Sequence, residues 1–125
     1  MMLSNILFIF LFGMLIVGCG PEQPKPLYNY GSYSNTYYAY KKNPTEQSLT
    51  ALQQSLEDVI AKADQSQTGR VPPGIYANLG YLYLKAGKSN EAIENFKKEK
   101  TIYPESAYFM DKLIKRVQDA QESKK

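Results

Sequence analysis

The chain has no histidine, no tryptophan and a single cysteine among its 125 residues. Without histidine it lacks the commonest general base and the commonest metal ligand of proteins. The one thiol, Cys19, has no second cysteine with which to form a disulfide in the same chain. The sequence also lacks a glycine-rich phosphate loop. We therefore expect no enzyme, no cofactor and no metal site.

An excess of charge of one sign is also missing. Fifteen basic and twelve acidic residues give a formal net charge of +3, and the two signs are interspersed along the helical part of the chain. Nucleic-acid-binding proteins usually concentrate basic side chains on one face. The charge pattern therefore predicts an ordinary solvated surface and no nucleic-acid partner, and the length predicts one small domain.

The N-terminal residues predict a targeting signal. Residues 1–18 have no charged side chain, and the apolar run 6–17 is shorter than the roughly 20 residues that span a bilayer. It has the length of a signal-peptide core. Residues 15–19 resemble the bacterial lipobox. That resemblance implies a signal peptide over 1–18, acyl chains such as palmitate on Cys19, and, because Gly20 rather than Asp follows, the periplasmic face of the outer membrane. The alternatives are an ordinary signal peptide and a short uncleaved anchor.

Two segments connect Cys19 to the helical part of the chain. Residues 19–27 form a proline-rich tether, whose extended conformation would hold the domain roughly 20–25 Å from the membrane. Residues 28–42 are rich in tyrosine. Tyr33, Tyr37 and Tyr40 recur at helical spacing, which predicts a short helix packed on the domain. The alternative is an exposed aromatic patch that contacts a partner or a glycan.

Residues 43–120 predict an all-α domain of antiparallel helical hairpins, followed by a frayed tail over 121–125. The first helix should begin at Asn43 as the cap, with Pro44 in the first helical position. The second should begin at Pro73 and end at Gly87. It is apolar nearly all round, so we expect it to be central and covered on several sides.

A final helix follows Pro104, because a proline cannot continue the helix before it. Its pattern predicts these inward side chains: Phe109, Met110, Leu113, Ile114 and Val117.

The two helices between Pro73 and Pro104 resemble one full tetratricopeptide repeat. The positions that carry the resemblance are Tyr76, Leu79, Gly80, Tyr83, Ala92, Phe96 and Pro104. Gly80 and Ala92 are small and should let the two backbones approach, with the larger rings interlocked around them. Glu99 departs from the pattern, since the family has a small residue there. We expect Glu99 at a packing edge, paired with a lysine.

The resemblance implies that a protein partner binds the concave face of the hairpin's first helix. Carried over, that face consists of Ala77, Asn78, Tyr81, Leu84 and Lys85. Asn78, Tyr81 and Lys85 share one stripe whose donors, ring and cation suit an extended peptide or an acidic terminus. The alternative is that flanking helices bury these residues and leave no groove.

Most of the mature chain also resembles a family of small proteobacterial lipoproteins of unknown function. The matching stretches are the lipobox, the tyrosine-rich segment, residues 43–46, 71–74 and 103–106, and the repeat. Members of that family occur beside lipoproteins that resemble the curli secretion channel. The resemblance implies an outer-membrane-anchored binding or assembly module, with a curli-channel-like lipoprotein as the candidate partner. The alternative is a structural subunit of an envelope or secretion complex that binds through its tyrosine-rich segment.

Overall fold

The computed structural model describes residues 20–124, which form five α-helices and no strand. The predicted all-α class is therefore confirmed for this part of the chain. Each helix packs beside the next one along the chain, and the contact between the third and fourth helices is the most extensive. The helices are α1 Tyr33–Lys42, α2 Glu46–Ala61, α3 Ile75–Lys85, α4 Ser89–Ile102 and α5 Ala107–Glu122, with single 3₁₀ turns at Ala63–Gln65 and Pro104–Ser106.

Helix α2 begins later than its sequence suggested. Thr45, not Asn43, is the N-cap, because its hydroxyl accepts the Ser48 N–H at 3.1 Å while the Ser48 hydroxyl accepts the Thr45 N–H at 2.9 Å. This reciprocal pair satisfies two backbone donors that no helical carbonyl can reach. Asn43 instead ends α1, where its N–H donates to the carbonyl of Ala39. The tyrosine-rich segment and α2 thus form a hairpin of their own.

Both ends of α3 are marked by a glycine with a positive φ. Pro73 was expected to open this helix, but Pro73 lies in the preceding turn and Gly74 is the N-cap, at φ 86°. Gly87 ends the helix at φ 75°, as predicted, because left-handed backbone suits a residue without a side chain. Helix α4 then begins at Ser89, with Lys88 in the cap position, and ends before Pro104.

The α3–α4 hairpin is packed through Gly80, as its pattern predicted. A Cβ atom on Gly80 would lie 2.8 Å from Cε1 of Phe96 and 3.1 Å from the carbonyl oxygen of Ala92. Phe96 is 0% exposed. Only a glycine therefore allows the Phe96 ring to reach the backbone of α3, and the resulting contact fixes the spacing of the two helices.

Helix α3 is central, because it contributes to two separate core clusters. One face packs with α2 and the loop before α3, and this cluster holds Leu52, Leu56, Val59, Ala63, Val71, Ile75, Leu79 and Leu82. The other face packs on a cluster of α4 and α5: Ala92, Ile93, Phe96, Met110, Ile114 and Val117. Tyr83 contacts both clusters. The prediction that this helix is covered on several sides is confirmed.

Helix α5 buries a narrower face than expected. Met110, Ile114 and Val117 are buried and Leu113 is half-buried, but the prediction for Phe109 is wrong, since that side chain is 60% exposed. Residue 109 lies about 100° around the helix from residue 110, and it turns away from α4. The helix also continues to Glu122, past the predicted start of the tail, where the Gln121 amide donates to the Asn90 side chain at 3.2 Å.

The end of the predicted tether is part of the domain. The carbonyls of Pro26 and Leu27 accept the N–H groups of Gln67 and Thr68, at 2.9 and 3.3 Å. The extended segment is thereby joined to the loop that follows α2, which shortens the free tether. Residues 1–18 and Cys19 lie outside the described residues. In the part that is described, no helix is long and apolar enough to cross a membrane.

Candidate functional site

A groove of about 160 Å³ lies between α1 and α3, with α2 beneath it. We call it the tyrosine groove. Its walls and floor are Tyr33, Tyr37, Tyr40, Lys41, Leu52, Leu56, Asn78, Tyr81, Leu82 and Lys85. The leucines are core residues of α2 and α3, so the floor is apolar and the upper walls are aromatic and basic.

Asn78 joins the two walls at one end of the groove. Its amide Nδ2 donates to the Tyr33 hydroxyl at 3.0 Å and to the carbonyl of Gly74 at 2.9 Å. The second bond holds the amide against the first turn of its own helix, and the first ties α1 to α3. Burial of the Tyr33 ring, with a smaller contribution from Tyr37, raises the pKa of Tyr33 above its ordinary value, so the hydroxyl keeps its proton.

Lys85 joins the walls at the other end. Its Nζ donates to the Tyr40 hydroxyl at 3.1 Å and lies 5.6 Å from the centroids of both the Tyr40 and the Tyr81 ring. The hydrogen bond to Tyr40 raises the pKa of Lys85. The ammonium is therefore charged at neutral pH, and the two ring faces hold it in place.

Three of the five residues predicted for the concave face line this groove together, and two do not. Asn78, Tyr81 and Lys85 share the stripe facing α1, and Tyr81 is 53% exposed. Ala77 and Leu84 pack against the cluster of α4 and α5 instead. Each lies about 100° around the helix from the stripe residue next to it in sequence, Asn78 or Lys85. Ala77 and Leu84 therefore do not line the groove, whereas the stripe itself is not buried by α2.

The opposite wall is formed by α1, for which the sequence left open packing on the domain and an exposed aromatic patch. Tyr33, Tyr37 and Tyr40 were predicted to pack on the domain, and Tyr33 and Tyr40 do lie half-buried against the first core cluster. The same helix also presents Tyr37 and Lys41 to the groove. The spacing of three and four residues indicated that the tyrosines of α1 share one face. It did not show which helix that face would meet.

Glu99 holds the first turn of α3, at the base of the helix that carries the stripe. It is 3% exposed. Its Oε1 accepts the N–H of Gly74 at 2.7 Å and its Oε2 accepts the N–H of Ala77 at 3.2 Å. A carboxylate is stabilised at a helix N-terminus, where free N–H groups point outward. The predicted lysine pairing is therefore wrong, because backbone donors occupy both oxygens.

Glu99 also affects its surroundings electrostatically. Burial of the Tyr76 ring, together with the nearby negative charge of Glu99, raises the pKa of Tyr76. Among residues 20–124, no three acidic, cysteine or histidine side chains come together in a way that could hold a metal ion. The groove itself brings together ring faces, hydroxyls, an amide and two lysine side chains.

Comparison with known protein families gives a match for this chain. The family model described as "Domain of unknown function (DUF4810)" matches residues 27–113, a stretch that contains α1 to α4, the start of α5 and the whole tyrosine groove. No curated protein and no solved structure matches the chain. The match covers more than half of the chain, and the chain belongs to this family.

Proposed function

We propose that this DUF4810 protein is a lipid-anchored, protein-binding module of the bacterial cell envelope, at the periplasmic face of the outer membrane. A protein partner binds in the tyrosine groove, and the module holds that partner for assembly. The resemblance to a tetratricopeptide repeat supports this role, as does the resemblance to lipoproteins found beside curli-channel-like lipoproteins. The second resemblance makes such a lipoprotein the candidate partner.

The single observation that carries the proposal is the open tyrosine groove. Its rings lie at the surface of a rigid scaffold: Tyr81 projects from α3, the central helix, and the floor leucines belong to the core. Tyrosine provides large contact area with few rotatable bonds, and it is enriched where proteins bind each other. A groove that keeps such rings half-exposed is better suited to a partner than to folding alone.

The lipid anchor is supported by sequence. A lipobox-like stretch ends at Cys19, and a proline-rich segment separates Cys19 from the first residues that join the domain, near Pro26. Two or three acyl chains give stable attachment where one chain would be marginal. The remaining free tether is short, so the groove would work close to the membrane.

The test is partner capture by cross-linking in intact envelopes with the double variant Tyr81→Ala, Lys85→Glu. Both side chains are exposed, so the melting temperature should change little. Capture should be lost, because the variant removes a groove ring and reverses a groove charge.

Helix α5 offers a matched control. Tyr108 and Lys112 have the same four-residue spacing, and the Lys112 Nζ lies 4.3 Å from the Tyr108 ring centroid. Tyr108→Ala with Lys112→Glu should leave capture intact. Normal capture by the groove variant, or equal loss by both variants, would exclude the tyrosine groove as the binding site.

A second candidate is a structural subunit of an envelope or secretion complex that binds through the tyrosine-rich segment outside the groove. The exposed rings of Tyr30 and Tyr38 favour it. In the same cross-linking assay, this candidate predicts that Tyr38→Ser abolishes capture while the groove variant does not.

A further inference from the structure

The polar lining of the tyrosine groove consists mainly of hydrogen-bond donors, and its charge has one sign. The lining residues include two lysines, Lys41 and Lys85, and no carboxylate. The Tyr33 and Tyr40 hydroxyls each accept a bond from α3, and within residues 20–124 neither donates to a protein acceptor. Each phenol therefore keeps its proton for a ligand. Such a lining complements an anion.

The groove is also small and apolar at its floor. Leu52, Leu56 and Leu82 form that floor, and the volume is about 160 Å³. An apolar cavity of about this size holds one benzene-sized group. The groove thus has room for one apolar side chain and places cations beside it. Its ligand must therefore carry an apolar side chain and an anionic group within a single residue.

We propose that the tyrosine groove binds the carboxyl terminus of a protein chain whose last residue is large and apolar. The final side chain lies on the leucine floor. The terminal carboxylate accepts bonds from Lys85 and from the Tyr40 hydroxyl beside it. This inference rests on the proposed function and names the part of the partner that the groove recognises.

The geometry of a peptide favours a terminus over an internal acidic residue. At a C-terminus, the carboxylate and the last side chain are attached to the same Cα atom. In an extended internal segment, two side chains on the same face are two residues apart, or about 6.6–6.8 Å along the strand. A C-terminal residue therefore holds its anion and its apolar side chain closer together than an internal pair does, which suits one small apolar cavity with cations on its walls.

The probes are N-terminally fluorescein-labelled hexapeptides, titrated against the full chain purified in non-ionic detergent and followed by fluorescence anisotropy. One ends in Ser-Gly-Phe with a free carboxylate. The second is its C-terminal amide, the third ends in Gly instead of Phe, and the fourth is an amide with an internal Glu-Phe pair. The free-acid peptide that ends in Phe should bind at least about tenfold more tightly than each of the other three peptides. It exceeds the amides because a hydrogen bond to a charged group is stronger than a neutral one.

Two lysine variants locate the binding. Lys85→Gln removes one of the two groove cations and should reduce the affinity for the free-acid peptide about tenfold, while leaving the weak affinity for the amide unchanged. Lys112→Gln removes a cation that also lies over a tyrosine ring, on α5, and should change neither. Melting temperatures of both variants should equal that of the parent chain, since both lysines are exposed.

The outcomes separate this inference from the proposed function. Equal affinity for acid and amide, no binding of any peptide, or indifference to Lys85→Gln overturns carboxyl-terminus recognition. If cross-linking in envelopes still depends on Tyr81 and Lys85 in that case, the tyrosine groove remains the partner site and only the chemistry of its ligand is wrong. If the internal Glu-Phe peptide binds as tightly as the free-acid peptide, the groove recognises acidic segments rather than carboxyl termini.

Discussion

Replacing Glu99 with alanine tests the most unexpected contact in the domain. The buried carboxylate accepts two backbone N–H groups in the first turn of α3, at 2.7 and 3.2 Å. Hydrogen bonds to a charged group contribute about 1.5–3 kcal/mol each. The longer bond belongs at the lower end of that range. Water that enters the space left by the shortened side chain would replace part of the hydrogen bonding that these two N–H groups lose.

We therefore expect Glu99→Ala to lower the free energy of unfolding by about 2–4 kcal/mol. A small domain has only about 5–15 kcal/mol in total, so the loss is large. Glu99→Gln should cost less, because its amide has the same shape and one oxygen that accepts. Its NH₂ group would face a backbone N–H, however. We therefore expect Glu99→Gln to lower the free energy of unfolding by about half as much as Glu99→Ala does.

The assay is urea unfolding of the purified chain, followed by far-UV circular dichroism. The midpoint should fall in the order parent, Glu99→Gln, Glu99→Ala, with an unchanged slope. Glu94→Ala is the matched control, since Glu94 is an exposed glutamate on the same helix, and its effect should stay within about 0.5 kcal/mol. A Glu99→Ala midpoint equal to that of the control would refute the capping role.

Two further predictions concern the hairpin and the anchor. Gly80→Ala should destabilise the domain in the same urea assay, because overpacking against buried Phe96 costs about 1–3 kcal/mol, more than the roughly 1 kcal/mol that alanine contributes to a helix. Adding Phe96→Leu should recover part of the loss, and a Gly80→Ala variant more stable than the parent would contradict the packing. Cys19→Ser should abolish incorporation of an alkyne-tagged fatty acid and leave a larger, uncleaved precursor on a gel. Labelling that persists in the serine variant would count against the lipid anchor.

Local patterns of the sequence determined much of the fold. The all-α class followed from apolar residues at helical spacing, and the central position of α3 followed from a helix that is apolar nearly all round. The packing of Gly80 against Phe96 followed from size, since two helix backbones approach only where a small residue lies between them. Errors at helix starts, such as Asn43 for Thr45, arose where neighbouring residues both suit a cap. Which one caps depends on whether its side-chain oxygen meets a backbone donor, as the Thr45 hydroxyl meets the N–H of Ser48.

Tertiary structure alone decided the site. A stripe of Asn78, Tyr81 and Lys85 can be read from spacing along one helix, but its counterpart on α1 lies about 45 residues earlier in the chain. No local pattern specifies which two helices become neighbours. The same holds for Glu99, whose position looked like a packing edge in the sequence, whereas in the fold the start of α3 brings two N–H groups to it. Local periodicity determines which residues share a face, whereas the packing of distant helices determines what that face meets.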